Sequence, residues 1–380
     1  MDFSSKHTPY LSQILSILFA SFLLTSSSFA ENPKLNHFQE SSSIVEYRCL
    51  PSLECWPDKK HWNLLAEKLT GRLVKPQAAL AACHEDPNGK SCQTTLKNMQ
   101  NPFYLQSKSG ETQSQGWYKA WTAQVSEYAV EAKTTEDVVA AVNFARNHNL
   151  RLVIKGGGHD YLGRNNAANS LLIWTHPMRE VVMHDAFVPT GCLPSQKGIF
   201  AVTVQAGTRW IDAYNQVTTK HHRYVQGGGC TTVGAAGGFT QGGGFGSFSK
   251  KYGSAAANII EVEIVSAQGK VLIANECQNK DIFWAVRGGG GGTFGVVTKM
   301  TLQTFDLPSN FGLYKAKITT KTDDDYKKLI KQFISFYREN INNEHWGEQI
   351  SFNENNTVDI FMVFQGLTKN QAQNSWEPLI

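Results

Sequence analysis

Two reactive side chains sit inside glycine-rich runs. His159 lies in Lys155-Gly156-Gly157-Gly158-His159-Asp160-Tyr161, and Cys230 lies in Gly227-Gly228-Gly229-Cys230-Thr231-Thr232-Val233-Gly234. Glycine lets backbone approach a ligand closely and presents N–H groups with no Cβ in front of them. Imidazole and thiol are both nucleophiles. One of each, on turns of this kind, points to a fold built around a large anionic cofactor that can be held covalently. A third run, Arg287 followed by Gly288 to Gly292, lies further on. The competing reading is three tight β-turns without a ligand, and the His and Cys in two of them argue against it.

Other glycine-loop chemistries fail on their details. Gly290-Gly291-Gly292-Thr293-Phe294-Gly295 has GxGxxG spacing, but that motif counts only where it opens a helix. Here Val296, Val297 and Thr298 follow and read as strand, so a nicotinamide Rossmann site is rejected. Gly158 to Arg164 approaches a P-loop but lacks the Lys-Ser/Thr step. Neither HExxH nor CxxC occurs, so no metal site is expected. His159 and Asp160 could serve a hydrolytic triad, but no GxSxG elbow accompanies them.

The chain of 380 residues can hold two domains. A net charge of +4 without a long Lys/Arg run gives nucleic acid no support. Lys6, an apolar stretch from Ile14 to Leu24 and the small residues around Ser28-Phe29-Ala30 form a signal-peptide pattern over 1–30. The apolar run is short for a membrane span; an uncleaved anchor is the alternative. The mature chain is then exported (periplasmic or extracellular), begins near Glu31 and has no membrane span. An oxidising compartment permits disulfides. Cys49 with Cys55 and Cys83 with Cys92 are candidate local bridges, although spacing alone does not decide connectivity. Seven cysteines leave one outside any set of intramolecular pairs, and Cys230 is the candidate.

Residues 31–116 read as a leader region with one helix from Trp62 to Leu73. Thr134 to Asp137 cap a helix carrying Val138, Val139, Ala141, Val142 and Ala145. Strands are expected at Leu150–Ile154, Leu171–Trp174, Ala201–Gln205, Ile259–Ser266, Lys270–Ala274 and Val296–Thr304, with helices at Trp210–Lys220 and Asp281–Val286. Asp306-Leu307-Pro308 marks a boundary. Beyond it, strands are expected at Leu313–Thr319, Ile350–Asn353 and Val358–Gln365. Helices are expected at Asp323–Asn340 and from Gln371 onward, the opening of an α+β domain. Asn355-Asn356-Thr357 is a glycosylation sequon, a pattern short enough to arise by chance.

Ile154 to Gly163 and Gly229 to Gly246 resemble the flavin-attachment segments of the berberine-bridge-enzyme-like oxidases, within the vanillyl-alcohol-oxidase/PCMH flavoprotein superfamily. Arg287 to Val297 resembles the third glycine segment of the same domain. The resemblance runs from about Tyr118 to Pro308. It implies an α+β fold: a PCMH-type FAD-binding domain of two α/β subdomains over 117–308, then an incomplete α+β substrate domain over 309–380. FAD is the implied cofactor, linked through His159 to the 8α-methyl and through Cys230 to C6. Gly156, Gly157 and Gly158 would cradle the pyrophosphate, and Lys155 and Asp160 would belong to the same cofactor-binding surface. Tyr161 would lie near the isoalloxazine and is a candidate base. Val233 falls where the family places a gate for oxygen. Gly163, Gly229, Thr232, Gly234, Gly237, Gly238, Gly243, Gly246, Gly295 and Val297 complete the implied cofactor surface.

The implied reaction is oxidation of an alcohol or sugar hemiacetal, with O2 as acceptor and a saccharide as the expected substrate. Trp284, Tyr314, Tyr326, Tyr337, Trp346 and Trp376 could stack on sugars, although core packing is the commoner role for such rings. Two departures from the family pattern stand out. Ala235 to Gln241 lacks a His that many relatives carry after the cysteine motif. The chain also ends at Ile380 inside what reads as a helix of the second domain. A flavin-binding protein without turnover is therefore the alternative, and a disulfide-stapled interaction protein without cofactor is a third reading.

Overall fold

The structure is a computed structural model that describes residues 48–380 except 79, 114, 115, 123, 348 and 380. The expected signal peptide lies outside the described residues. Among the described residues no helix is long and apolar enough to cross a membrane.

The first sheet comprises β1 (Arg72–Val74), β2 (Tyr128–Glu131), β3 (Arg151–Lys155) and β4 (Ser170–Trp174), in the order β1-β2-β4-β3. β2, β4 and β3 are parallel, and β1 joins antiparallel. The Thr135–Asn147 helix supplies the crossover that the parallel β2–β3 connection requires. Thr134 and Asp137 form its capping box. Val138, Ala141, Val142 and Ala145 recur at helical spacing, and all are buried against this sheet. Every residue of β4 is buried, as expected for a strand with neighbours on both edges and cover on both faces.

The helix expected over Trp62–Leu73 runs instead from Lys59 to Ala66. It stops because the following turn belongs to other partners. Thr70 and Gly71 donate their N–H groups to the Asp137 carboxylate at 2.7 and 3.1 Å, and β1 then pairs with β2. A Cβ at Gly71 would run into the Glu131 carbonyl. Trp62 of this helix stacks on Tyr128 with ring centroids 3.9 Å apart. The Lys59–Ala66 helix and β1, both within the region read as a leader, thus pack into the first sheet and its core.

The second sheet comprises β5 (Val181–Phe187), β6 (Ile199–Gln205), β7 (Ile259–Val265), β8 (Val271–Asn275) and β9 (Val296–Gln303). Its order is β8-β7-β9-β6-β5, antiparallel throughout. Trp210, Val262, Ile264, Met300 and Leu302 fill its core. The Trp210–Lys220 helix is α-helical to Tyr214 and continues as π-helix over Asn215–Lys220.

A third sheet is built on β10 (Phe311–Thr319), β11 (Trp346–Gly347), β12 (Ile350–Asn353) and β13 (Thr357–Gln365), all paired to β13. The Asp323–Phe336 helix buries Phe333 and Phe336 in the same core as Trp346 and Trp376. Tyr314 stacks on Trp376 at 3.9 Å, and Tyr326 and Tyr337 also pack there. Of the six aromatic residues considered for sugar stacking, Trp284 alone stands out from a core, 80% exposed. The Phe311/Gln365 end of this sheet abuts the 244–252 loop. Phe248 meets Phe311 at 5.9 Å between centroids, and Tyr252 Oη donates to Gln365 Oε1 at 3.0 Å.

Cys49–Cys55 and Cys83–Cys92 are bridged as expected, and Cys230 is the free, exposed thiol. Cys192–Cys277 forms a third bridge that spacing did not reveal. It ties the loop after β5 to the turn after β8, the two opposite edge strands of the second sheet. Its sequence separation is 85, so it should restrict the unfolded chain by about 4 kcal/mol. Cys192→Ser with Cys277→Ser should lower the urea unfolding free energy by roughly that amount, whereas the Cys83→Ser/Cys92→Ser pair should cost less. Equal losses would show that native-state strain, not loop length, sets the difference.

Candidate functional site

The three glycine runs converge. The first follows β3, the second follows the Arg223–Tyr224 strand, and the third follows the Lys280–Val286 helix. A Cβ at Gly157 would stand 2.9 Å from the Thr232 carbonyl and 3.3 Å from the Gly234 nitrogen. One at Gly291 would stand 2.7 Å from the Gly238 Cα, and one at Gly292 3.2 Å from Ile154 Cδ1. Contacts under 3 Å to backbone exclude any side chain, so backbone meets backbone at Gly157 and Gly291, whereas Gly292 lies against the Ile154 side chain. Gly288 and Gly290 both donate their N–H groups to the Gln241 carbonyl, at 2.9 and 3.0 Å. By contrast, a Cβ at Gly229, Gly238, Gly243 or Gly288 would meet nothing within 4 Å. Those positions present bare backbone to open space, which is the surface a large cofactor needs.

Thr232 joins the two nucleophiles. Its side chain is fully buried, and its Oγ1 lies 3.0 Å from His159 Nε2 and 3.8 Å from Cys230 Sγ. Trp210 and Ile211 donate their N–H groups to the Val233 and Thr231 carbonyls, and Ala235 donates to the Thr208 carbonyl. These bonds lace the cysteine loop to the start of the Trp210 helix. Burial pulls the His159 imidazole below the ordinary histidine value, which favours its neutral, nucleophilic form. Asp160 shapes its own loop. Its carboxylate accepts from the Leu162 and Arg164 N–H groups and from the Arg164 guanidinium at 2.8 and 3.0 Å. Burial opposes its ionisation, but these donors prevail and hold it below the usual carboxylate range.

Lys155 has a structural task. Its Nζ is buried and donates to the carbonyls of Lys108, Ser109 and Glu111. The 102–113 segment is thereby strapped across both loops. Gln106 Nε2 donates to the Thr232 carbonyl at 2.7 Å, and the Gln113 N–H donates to the Gly158 carbonyl at 2.9 Å. Gln106 Oε1 is buried at this junction without a hydrogen-bond partner. Nothing in the sequence marked Gln106, which has an ordinary helical neighbourhood.

The remaining expected residues divide between cleft and scaffold. Tyr161 is 69% exposed, and its carbonyl accepts from Trp121 Nε1 at 2.8 Å. Gly163 has φ +70° and lies flat against the Trp121 ring. Val233 packs partly against the second core. Gly156 approaches the Ala206 carbonyl, and Gly158 has φ +79°. Gly246 packs on the Gly227 carbonyl. Gly295, at φ +144°, lets β9 pass the Val265 carbonyl, and the Val297 side chain is buried in the second core. Gly237 accommodates the turn that donates its N–H to the Gly234 carbonyl. The structure therefore brings His159 and Cys230 to the Thr232 hydroxyl, next in the chain to the open backbone of Gly229, and gives the Lys155 and Asp160 side chains hydrogen-bond partners within the protein.

Residues 126–275 match the family model described as FAD binding domain. An uncharacterised FAD-linked oxidoreductase of Arthroderma benhamiae is 34% identical over 352 residues, covering 87% of this chain and 56% of that protein. The chain belongs to the family of FAD-linked oxidoreductases. A VAO-type flavoprotein from Myceliophthora thermophila C1 shares the fold with a TM-score of 0.75 and 28% identity, over 87% of this chain and 62% of that one. A berberine bridge enzyme variant aligns with a TM-score of 0.62 at 20% identity, over 84% and 58% of the two chains, and speaks for the fold alone. The chain spans about half the length of the curated relatives it matches.

Burial pulls the Lys155 ammonium from 10.5 down to about 7, with the Glu111 carboxylate opposing the shift. The unfolded lysine keeps its proton up to 10.5, so between pH 7 and 10.5 the unfolded state binds more protons. The stability contributed at this site should therefore rise with pH across that window. Urea unfolding of wild type and Lys155→Met should show the gap moving towards wild type by about 2 kcal/mol between pH 7 and 9. A gap that does not move would mean that Lys155 keeps its proton in the folded state.

Proposed function

We propose that this oxidoreductase holds FAD through two covalent links, at His159 and Cys230, and oxidises an alcohol or sugar hemiacetal with O2 as acceptor. The observation that carries the covalent part is the shared hydroxyl of Thr232, which places one imidazole and one exposed thiol beside the same open glycine surface. The residues fit the cofactor. The bare backbone at Gly229, Gly238, Gly243 and Gly288 leaves room for its bulk, and the turns of the first loop offer N–H groups for a pyrophosphate. Bound there, FAD supplies hydride acceptance and transfer of the electron pair onward.

The chain's own residues set the rest. Thr232 Oγ1 occupies His159 Nε2, so Nδ1 is the ring nitrogen left to form the link. Tyr161, next in the chain to Asp160, is the residue we assign to accept the substrate hydroxyl proton. The small branched Val233 supports O2 as acceptor. Exposed Trp284 offers a ring face to a saccharide at the edge of the third glycine run. The three disulfides suit an oxidising compartment, which supports export. A flavin-binding role without turnover is the second reading. Bleaching of the flavin absorbance by a panel of sugars and alcohols separates the two.

Covalent attachment is tested on the denatured, acid-washed chain. Flavin should stay with wild type and with each of His159→Ala and Cys230→Ala, and leave the double variant. Peptide mass mapping of the Cys230→Ala protein should place the remaining link at His159. A wild-type chain that releases all its flavin on denaturation overturns the covalent reading while leaving FAD binding intact.

A further inference from the structure

The hairpin joining β12 to β13 is built to display one side chain. Asn353 pairs with Thr357, so Glu354, Asn355 and Asn356 form a three-residue loop. Asn356 has φ +55°, the left-handed residue that closes such a loop. Two of the three asparagines here are tied down. Asn353 Nδ2 donates to Asp359 Oδ2, and Asn356 Nδ2 donates to Asp323 Oδ1, each at 2.9 Å. Asn355, at the apex, is exposed, and among the described residues its amide has no partner. It is also the acceptor position of the chain's single Asn-x-Ser/Thr sequon, completed by Thr357. Three residues earlier on the same hairpin, Phe352 is 46% exposed and meets Phe333 edge-on at 5.9 Å.

We propose that Asn355 carries an N-linked glycan whose first sugar packs against Phe352. The proposal rests on the export reading, because the donor is a lipid-linked oligosaccharide of the secretory lumen. In the transfer, Asn355 Nδ2 loses a proton and bonds to the anomeric carbon of the first N-acetylhexosamine. The bond from that carbon to the lipid pyrophosphate breaks, and the pyrophosphate keeps the electron pair. The buried Thr357 hydroxyl is no obstacle, because transfer precedes folding. After folding, the exposed apex leaves the glycan in solvent, and the C–H face of the sugar finds an aromatic ring beside it. The site is remote from the flavin loops. The nine residues of β13 separate the apex from the Gln365 end of the sheet, about 30 Å of extended chain, and it is that end that meets Tyr252 and Phe248.

The test uses the full chain expressed in a eukaryotic secreting host, once as it stands and once with a host secretion signal ahead of Met1. Peptide N-glycosidase should increase gel mobility, convert Asn355 to Asp in the peptide mass map, and have no effect on Asn355→Gln. Glycan found only with the added signal sustains the site and counts against native export. Chain recovered from the lumen with its disulfides formed and no glycan, in both forms, overturns the proposal. Glycan removal should lower the Tm of wild type by about 2 °C and that of Phe352→Leu by less than half as much. Equal drops would overturn the role given to Phe352. Flavin loading of Asn355→Gln should match wild type.

Discussion

The contact between Gly157 and the Thr232 carbonyl is the constraint on which the site depends. Two loops from different sheets can approach this closely only where one of them has no side chain. Once they do, Thr232 is sealed from solvent and its hydroxyl has His159 on one side and Cys230 on the other. The Gln106 amide closes over the same carbonyl from the 102–113 segment. A methyl group at Gly157 would separate all of these groups together, since each is located through the others.

The scaffold behind the loops divides its labour. The first sheet is a parallel unit with a helical crossover, and its first glycine turn leaves the end of β3 directly. The second is wholly antiparallel and brings its glycines in on connections rather than on strand ends. Two sheets of different construction therefore meet at one cleft. The Lys155 ammonium, surrounded by three carbonyls, holds the crossing segment in place without occupying the cleft itself.

Much of this was legible in the residues. The glycine runs and most strands are legible because each is written in contiguous sequence, and the local bridges and the free Cys230 match candidates that spacing offered without deciding. β-branched runs such as Val296–Val297–Thr298 are unmistakable. Legibility failed where a partner distant in sequence decides the outcome. The Trp62–Leu73 stretch has helical periodicity, yet Asp137 captures the turn at Thr70 and Gly71. Gln106 and the Cys192–Cys277 bridge carry no local signal, because their partners lie 126 and 85 residues away. The sequence around Lys155 shows only its glycine neighbours, while the carbonyls of Lys108, Ser109 and Glu111 that its side chain meets lie more than forty residues away in the chain.

The pattern of bridges also bears on the order in which this chain acquires its covalent structure. Cys49–Cys55 and Cys83–Cys92 close loops of six and nine residues, which form early because short loops meet often. Three thiols then remain, Cys192, Cys230 and Cys277, with three ways to pair two of them. Nothing local favours the native choice. What favours it is the assembled second sheet, in which β5 and β8 take opposite edges and bring their trailing turns together, so the bridge and the sheet reinforce each other. A thiol that pairs too soon would trap Cys230, the one sulfur this architecture keeps unpaired.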